Sequence, residues 1–310
     1  MKLSNPLRYP PGVPRVEKPR AEGRFHLSGG RGLGYAEFGD PTGPVVLWFH
    51  GTLGARRQFP ALGRRAAEDL GLQVIVVERP GTGLSDAHRY AAVTDWVPDM
   101  AQVADALGAE RLGVVGLSGG GAYALACGAL PPLVDRVAVV AVLDGTVPAV
   151  GPEATDGGVT DVARRFNPVL TQLRRPLAVL STVLLAPLIP FAHYAYQGYI
   201  RMWPEDDRRV LDDPEVEAIF VDDMVNAFRG RCLAMVDDVR LLGQDWGFRL
   251  ADVKVPVQWW HGESDHVVPI AGVHSAISRL QDAELTVRPE SHLGGFARID
   301  QVLQHVRGCL

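Results

Sequence analysis

Six strand-like runs, the first four of them nearly unbroken in apolar residues, alternate along this chain with stretches of helical spacing, and no other feature limits its fold as tightly. They read "VVLWFH" (45–50), "QVIVVE" (73–78), "RLGVVGL" (111–117), "DRVAVVAVL" (135–143), "VPVQWWHG" (255–262) and "AELTVRP" (283–289). A strand that is apolar on both faces must be covered on both faces, which is the situation of a parallel sheet between helical layers. Helical patterns at 57–71, 94–108, 120–130, 268–280 and 294–308 supply the cover. The alternation predicts a doubly wound α/β architecture.

Between residues 145 and 245 the rhythm changes to helical patterns without a convincing strand. One helix start is explicit in "DDPEVEAIFVDDMVNAF": Asp213 caps, Pro214 fits the first position, and acids fill the first turn. The reading is therefore a core domain over 24–144 and 246–310, with a helical cap inserted over 145–245. Residues 1–23, rich in proline and charge, read as an extended arm without the apolar region of a secretory signal.

The 310 residues carry a net charge of −5 and no dense basic run, which argues against nucleic acid as the main partner. The arginine pairs 164–165, 174–175 and 208–209 and the triplet "RGR" (229–231) read as solvated helix faces. Three widely spaced cysteines, Cys127, Cys232 and Cys309, imply neither a disulfide framework nor a thiolate metal site; the expected compartment is reducing and cytoplasmic. The uncharged stretch 176–192 is short for a membrane span and contains Pro187 and Pro190. It reads as a buried or half-buried helix, or as an apolar surface that touches lipid or an acyl chain.

The run 111–117 ends in Gly116-Leu117-Ser118-Gly119-Gly120 and passes directly into a helical pattern. A serine at such a strand–turn–helix junction is forced into a tight turn, and its neighbours two positions away must be nearly bare. The hydroxyl then stands exposed above a helix N-terminus. A second "GLS", ending in Ser85, follows a loop and lacks the second glycine, so it reads as a turn residue.

A serine needs a base, and the base needs an orienting acid. In the order serine, acid, histidine, the base is His292 in "RPESHLGGF", between the last strand and the last helix. The acid is Asp265 in "WWHGESDHVVP", with Asp144 at the end of "VAVVAVLDG" as the alternative. His261 reads as a packing residue and His274 as a helix residue. The cluster His261, Asp265 and His266 lacks metal-ligand spacing, and no metal is expected. Two N–H donors are needed for the oxyanion. The Gly119 amide supplies one and the Thr52 amide in "FHGTLG" the other, with His50 and Gly51 supporting that loop.

With "FHGTLG", "ERPGTGLSD", "GLSGGG", "HGESDHVVP" and "ESHLG" in place, residues 24–308 resemble an α/β-hydrolase fold protein. The resemblance implies a mostly parallel eight-stranded sheet with a helical cap after the sixth strand. It implies a serine–aspartate–histidine triad, carried here by Ser118, Asp265 and His292, and no cofactor. Two positions depart from the usual pattern: Glu78 stands where many members have Asp, and Ser291 where many have Gly. They are expected to affect loop bracing and to restrain the histidine loop.

Among the activities on this fold the leading expectation is a carboxylesterase acting on a small-molecule ester, with an apolar cap that suits an apolar acyl group and offers peripheral lipid contact. The alternatives are an iminopeptidase-like amidase, with Glu205, Asp206 or Asp207 holding the amine, and a non-catalytic ligand-binding relative.

Overall fold

The computed structural model describes residues 16–227 and 233–310. The readings made for residues 1–15, for the triplet 229–231 and for Cys232 lie outside them.

Eight strands form one sheet: β1 (Ala21–His26), β2 (Gly32–Gly39), β3 (Val45–Phe49), β4 (Gln73–Val77), β5 (Leu112–Leu117), β6 (Val137–Leu143), β7 (Val257–Gly262) and β8 (Ala283–Arg288). Their order is β1-β2-β4-β3-β5-β6-β7-β8. β2 runs antiparallel to β1 and to β4, and every other neighbouring pair is parallel. The register sets Phe49 beside Gly116, Leu117 beside Leu143 and Leu143 beside Trp260. The carboxyl ends of the four central strands thus lie side by side, which is where an open α/β sheet offers its crevice.

Helices α1 (Ala61–Asp69), α2 (Trp96–Ala106) and α3 (Gly120–Ala129) follow β3, β4 and β5. Alternate residues of each central strand feed two cores. Leu47, Val114 and Val142 pack with α2 and α3 on one face. Trp48, Val115 and Ala141 pack against α1 and the final helix on the other. This two-sided burial is what the continuous aliphatic runs require.

β1 and β2 carry no such signal. β1 alternates half-buried and exposed residues, and β2 contains three glycines. β1 begins at Ala21, so residues 21–23 belong to the sheet and not to the arm expected over 1–23.

After β6, a loop leads into six helices among the described residues: α4 (Gly158–Gln172), α5 (Arg174–Leu185), α6 (Ala192–Ile200), α7 (Glu205–Leu211), α8 (Pro214–Ala227) and α9 (Leu233–Leu242). Asp213 caps α8 as its sequence implies, accepting from the Glu215 N–H at 2.8 Å. β7, α10 (Ile270–Ile277), β8 and α11 (Ile299–Cys309) complete the core.

Of the two readings of the stretch 176–192, a buried or half-buried helix and an apolar surface, the structure departs from the first. The stretch is not one buried helix: α5 ends at Leu185, a 3₁₀ segment follows at Ala186–Phe191, and Ala178 is the only buried residue of α5. An uncharged run satisfies a solvent-facing helix as well as a buried one, because its backbone is paired within the helix either way. Among the described residues no single helix is long and apolar enough to cross a membrane, and α4 meets the α5 segment at a bend of 101°.

Candidate active site

Ser118 occupies the turn between β5 and α3 with φ of +50°, a left-handed conformation that costs an L-residue strain. The turn closes because its flanks are bare. A Cβ on Gly116 would stand 2.5 Å from the Gly120 carbonyl oxygen, and one on Gly120 would stand 2.2 Å from the Phe49 carbonyl oxygen. The Ser118 N–H donates to the Leu143 carbonyl at 2.8 Å, which pins the turn to β6.

Three side chains far apart in the chain meet above this turn. Ser118 Oγ lies 3.0 Å from His292 Nε2. His292 Nδ1 donates to Asp265 Oδ2 at 2.7 Å. The other oxygen of Asp265 accepts the N–H groups of Val267 and Val268 at 2.7 and 2.8 Å, so the loop after β7 holds the carboxylate in place. Burial pulls Asp265 upward, but hydrogen bonds from His261 and His292 outweigh it and hold the carboxyl below its usual range. Burial pulls the His292 imidazole down, yet the bond to Asp265 and its charge keep it above the ordinary histidine value.

His261 is more than a packing residue. Its Nδ1 accepts from the Trp259 indole at 3.4 Å, which leaves the proton on Nε2. That nitrogen lies 2.8 Å from the Val268 carbonyl and 3.2 Å from Asp265 Oδ2.

Asp144 is placed differently. Its two oxygens accept the N–H groups of Gly262 and Gly295 at 3.1 and 3.2 Å, stapling two loops. Burial pushes its carboxyl up to about 8. Asp144, His261 and Asp265 present ligand atoms within 4.8 Å of one another, but each is engaged in the hydrogen bonds just given. His266 is exposed and stands outside that group, and His274 is exposed on α10.

The loop after β3 faces the serine from the other side. A Cβ on Gly119 would stand 3.4 Å from the Thr52 amide nitrogen, so the two residues expected to supply the oxyanion donors lie side by side. Among the described residues neither amide donates to a protein acceptor. The loop is braced from beneath. Arg79 donates to the carbonyls of His50 and Gly51, each at 2.8 Å, and the Gly51 N–H donates to Gln58 Oε1 at 2.7 Å. His50 is buried, and burial with the nearby Arg79 charge keeps its imidazole neutral, well below its ordinary value. Glu78 braces a neighbouring loop, accepting from Arg56 at 2.7 Å and from the Leu84 N–H at 2.6 Å. Ser85 is the turn residue expected of it, donating to the Glu78 carbonyl at 2.8 Å.

Sequence reasoning missed the residues through which the helical insertion grips the site. Asp207 of α7 is buried; it accepts the Ser291 hydroxyl at 2.7 Å and the Leu293 N–H at 2.8 Å, bracketing His292. Trp203 stacks on the His292 ring, with centroids 6.2 Å apart and planes at 18°. Asp238 of α9 accepts from Arg79 at 2.7 Å and from the Tyr123 hydroxyl at 2.8 Å. The run Glu205-Asp206-Asp207 reads as a candidate holder of an amine, and a local pattern does not show which acid turns inward. Ser291 was the one available signal, and it does restrain the histidine loop.

The serine and histidine open into a pocket of about 300 Å³. Leu117 and Val147 line it from the core, and Ala163, Tyr199, Trp203 and Phe220 from the insertion. Among the described residues no Asp or Glu lines it.

A model of the family described as serine aminopeptidase, S33, matches residues 40–292. No curated protein matches the chain. Several solved structures are similar over nearly their full length. An esterase from Exiguobacterium antarcticum superimposes with a TM-score of 0.66 at 17% identity, covering 93% of this chain and 100% of that one. An enol-lactonase from Burkholderia xenovorans LB400 gives 0.65 at 18% identity, covering 93% and 99%. An α/β hydrolase fold protein from Nakamurella multipartita gives 0.65 at 19% identity, covering 93% and 99%. At these identities the likeness is one of fold.

Proposed function

The chain belongs to the family described as serine aminopeptidase, S33, a family of α/β hydrolases, and from that premise we propose that it hydrolyses carboxylic esters with small or medium apolar acyl groups. The pocket wall carries this reading: it is mostly apolar, with Gln58, Thr146 and Thr160 as neutral polar residues, and holds no carboxylate among the described residues. An aminopeptidase must hold an α-ammonium group, and a desolvated cation without a partner costs several kcal/mol, of order 5. Glu205 and Asp206 are exposed, and Asp207 is engaged by Ser291 and Leu293, so none of the three acids is offered to an amine.

In this mechanism Ser118 Oγ attacks the acyl carbon while His292 Nε2 accepts its proton. Asp265 holds the imidazole in the tautomer that leaves Nε2 free, and stabilises the imidazolium. The negative charge that develops on the carbonyl oxygen is met by the N–H groups of Thr52 and Gly119. The alcohol leaves with the proton from His292, and water activated by the same nitrogen releases the acid from the acyl-enzyme. The helices of the insertion act as a cap that closes the acyl pocket and excludes water.

Turnover of p-nitrophenyl esters from two to sixteen carbons, with a proline arylamide alongside, tests the reading. Ester turnover that disappears in Ser118→Ala supports it, and the best chain length sizes the pocket. Arylamide turnover exceeding ester turnover overturns it in favour of the peptidase, and loss of neither activity in the mutant removes Ser118 from the chemistry. Asp265→Asn is expected to lower kcat by about 10⁴-fold, and Asp144→Asn by far less, since Asp144 staples loops and does not orient His292.

A further inference from the structure

Of the fourteen large hydrophobic side chains exposed among the described residues, twelve lie between Val162 and Met202. On α5, Val179, Leu180, Val183 and Leu184 are 54–63% exposed and form one face by their i, i+4 spacing. Leu188 and Phe191 extend the patch. Soluble surfaces rarely gather apolar residues so densely, and such a patch marks an interaction site. The charge on the same arm is equally one-sided. Residues 162–204 contain five arginines and no acid, in a chain whose net charge is −5. Arg165, Arg175 and Arg201 are exposed and make no ion pair among the described residues. Arg175 also lines a cleft with Arg89, Val179 and Val183.

We propose that this arm docks on an anionic lipid surface, the apolar side chains entering the headgroup boundary and the arginines meeting the lipid phosphates. The charge decides between occupants. Two-fold pairing with a second copy would set arginines against arginines, whereas an anionic bilayer complements them. α4 and the α5 segment meet at 101°, so their apolar stretches do not continue as one straight helix. Tyr199 and Trp203, at the end of the same arm, line the catalytic pocket, so docking sets that pocket near lipid.

The test uses the full chain carrying Ser118→Ala, so that it reads binding apart from hydrolysis. Flotation with phosphatidylcholine vesicles containing a third phosphatidylglycerol is compared with phosphatidylcholine alone. Binding is expected to be at least about tenfold stronger on the anionic vesicles and to weaken in high salt. The triple change Leu180→Ser, Val183→Ser, Leu184→Ser is expected to reduce binding about tenfold or more, as is Arg175→Glu with Arg201→Glu. No flotation on anionic vesicles, equal binding by the variants, or a two-chain mass in light scattering that the serine changes abolish would each overturn the proposal.

Independently, the geometry points to Asp207 as a positioning residue for His292, a role that rests on the function proposed above. Its carboxylate holds the residues on both sides of His292, while Trp203, four positions earlier, covers the ring. The insertion thus sets the histidine loop, and withdrawing α7 would release it. Asp207→Ala is expected to lower kcat and the rate of fluorophosphonate labelling of Ser118 about tenfold. KM should stay within about twofold, and the acid limb of the pH profile should move toward the ordinary histidine value. Asp207→Asn keeps an acceptor for the Leu293 N–H and is expected to restore most of the loss. Labelling at the wild-type rate in Asp207→Ala, or a loss that Asn does not restore and that tracks a fall in Tm, overturns the assignment. A wild-type protein that never labels removes the function proposed above along with it.

Discussion

Between Gly158 and Ile200 the insertion exposes ten or more large apolar side chains, whereas between Glu205 and Leu242 it buries several carboxylates. Asp207, Asp223 and Asp238 are all buried, and each meets donors from the core. Asp223 accepts the N–H groups of Ala55 and Arg57 at 2.8 and 2.9 Å, directly after the loop that carries Thr52. A buried carboxylate is stable only when its oxygens are satisfied, so each of these contacts fixes both partners. The second half of the insertion is therefore held to the loops of the site by directional bonds. Among the described residues α5 is tied through Arg174 at its start, which pairs with Asp237 of α9, and Ala178 is its only buried residue. On the proposals above, two helical segments adjacent in the chain serve different ends: one positions the chemistry, the other presents a surface.

The sharpest way to break this contrast is to remove an inward carboxylate. Asp238→Ala leaves the Arg79 guanidinium and the Tyr123 hydroxyl buried without their partner, and should cost about 3–5 kcal/mol in urea unfolding. A loss under about 1 kcal/mol would mean that this pair does not anchor the second half. Next in size is the pH profile. His292 must be neutral to accept the serine proton, and its folded pKa lies above the ordinary 6.5. kcat/KM should therefore fall about tenfold per unit as pH drops below a midpoint above that value. A limb at or below it would separate the base from the buried Asp265 contact. The seam between the halves is tested by Tyr196→Phe, which removes the 2.8 Å bond from its hydroxyl to the Leu211 carbonyl. That should cost about 1 kcal/mol. Smallest of all, Leu184→Ser on the outward face should change stability by no more than about 0.5 kcal/mol and leave turnover of short esters unchanged. A larger loss there would show that the first half is packed after all.

Much of this molecule is written locally. The apolar runs of β3 to β6 are legible because burial on both faces leaves little room for a polar residue, whichever way the strand is rotated. The serine turn is legible because a close approach of strand and helix excludes any Cβ at Gly116 and Gly120. The chain order of Ser118, Asp265 and His292 follows from which strand ends reach the same sheet edge. β1 and β2 were not legible: a half-exposed edge strand and a glycine-rich partner carry little apolar pattern to read.

Other features wait on the assembled fold. Asp144 and Asp265 both leave strands at the same edge, and only the path of the loop after β7 turns one toward His292 while the other staples Gly262 and Gly295. Asp206 and Asp207 are neighbours on one helix, yet the first is exposed and the second bears on the histidine loop. The uncharged run 176–192 exposes Val179, Leu180, Val183 and Leu184, which no window of its own sequence records. Period and close approach are properties of a segment, and so a sequence determines them. The direction of a side chain relative to an element a hundred residues away is a property of the packed whole, and only the tertiary structure decides it.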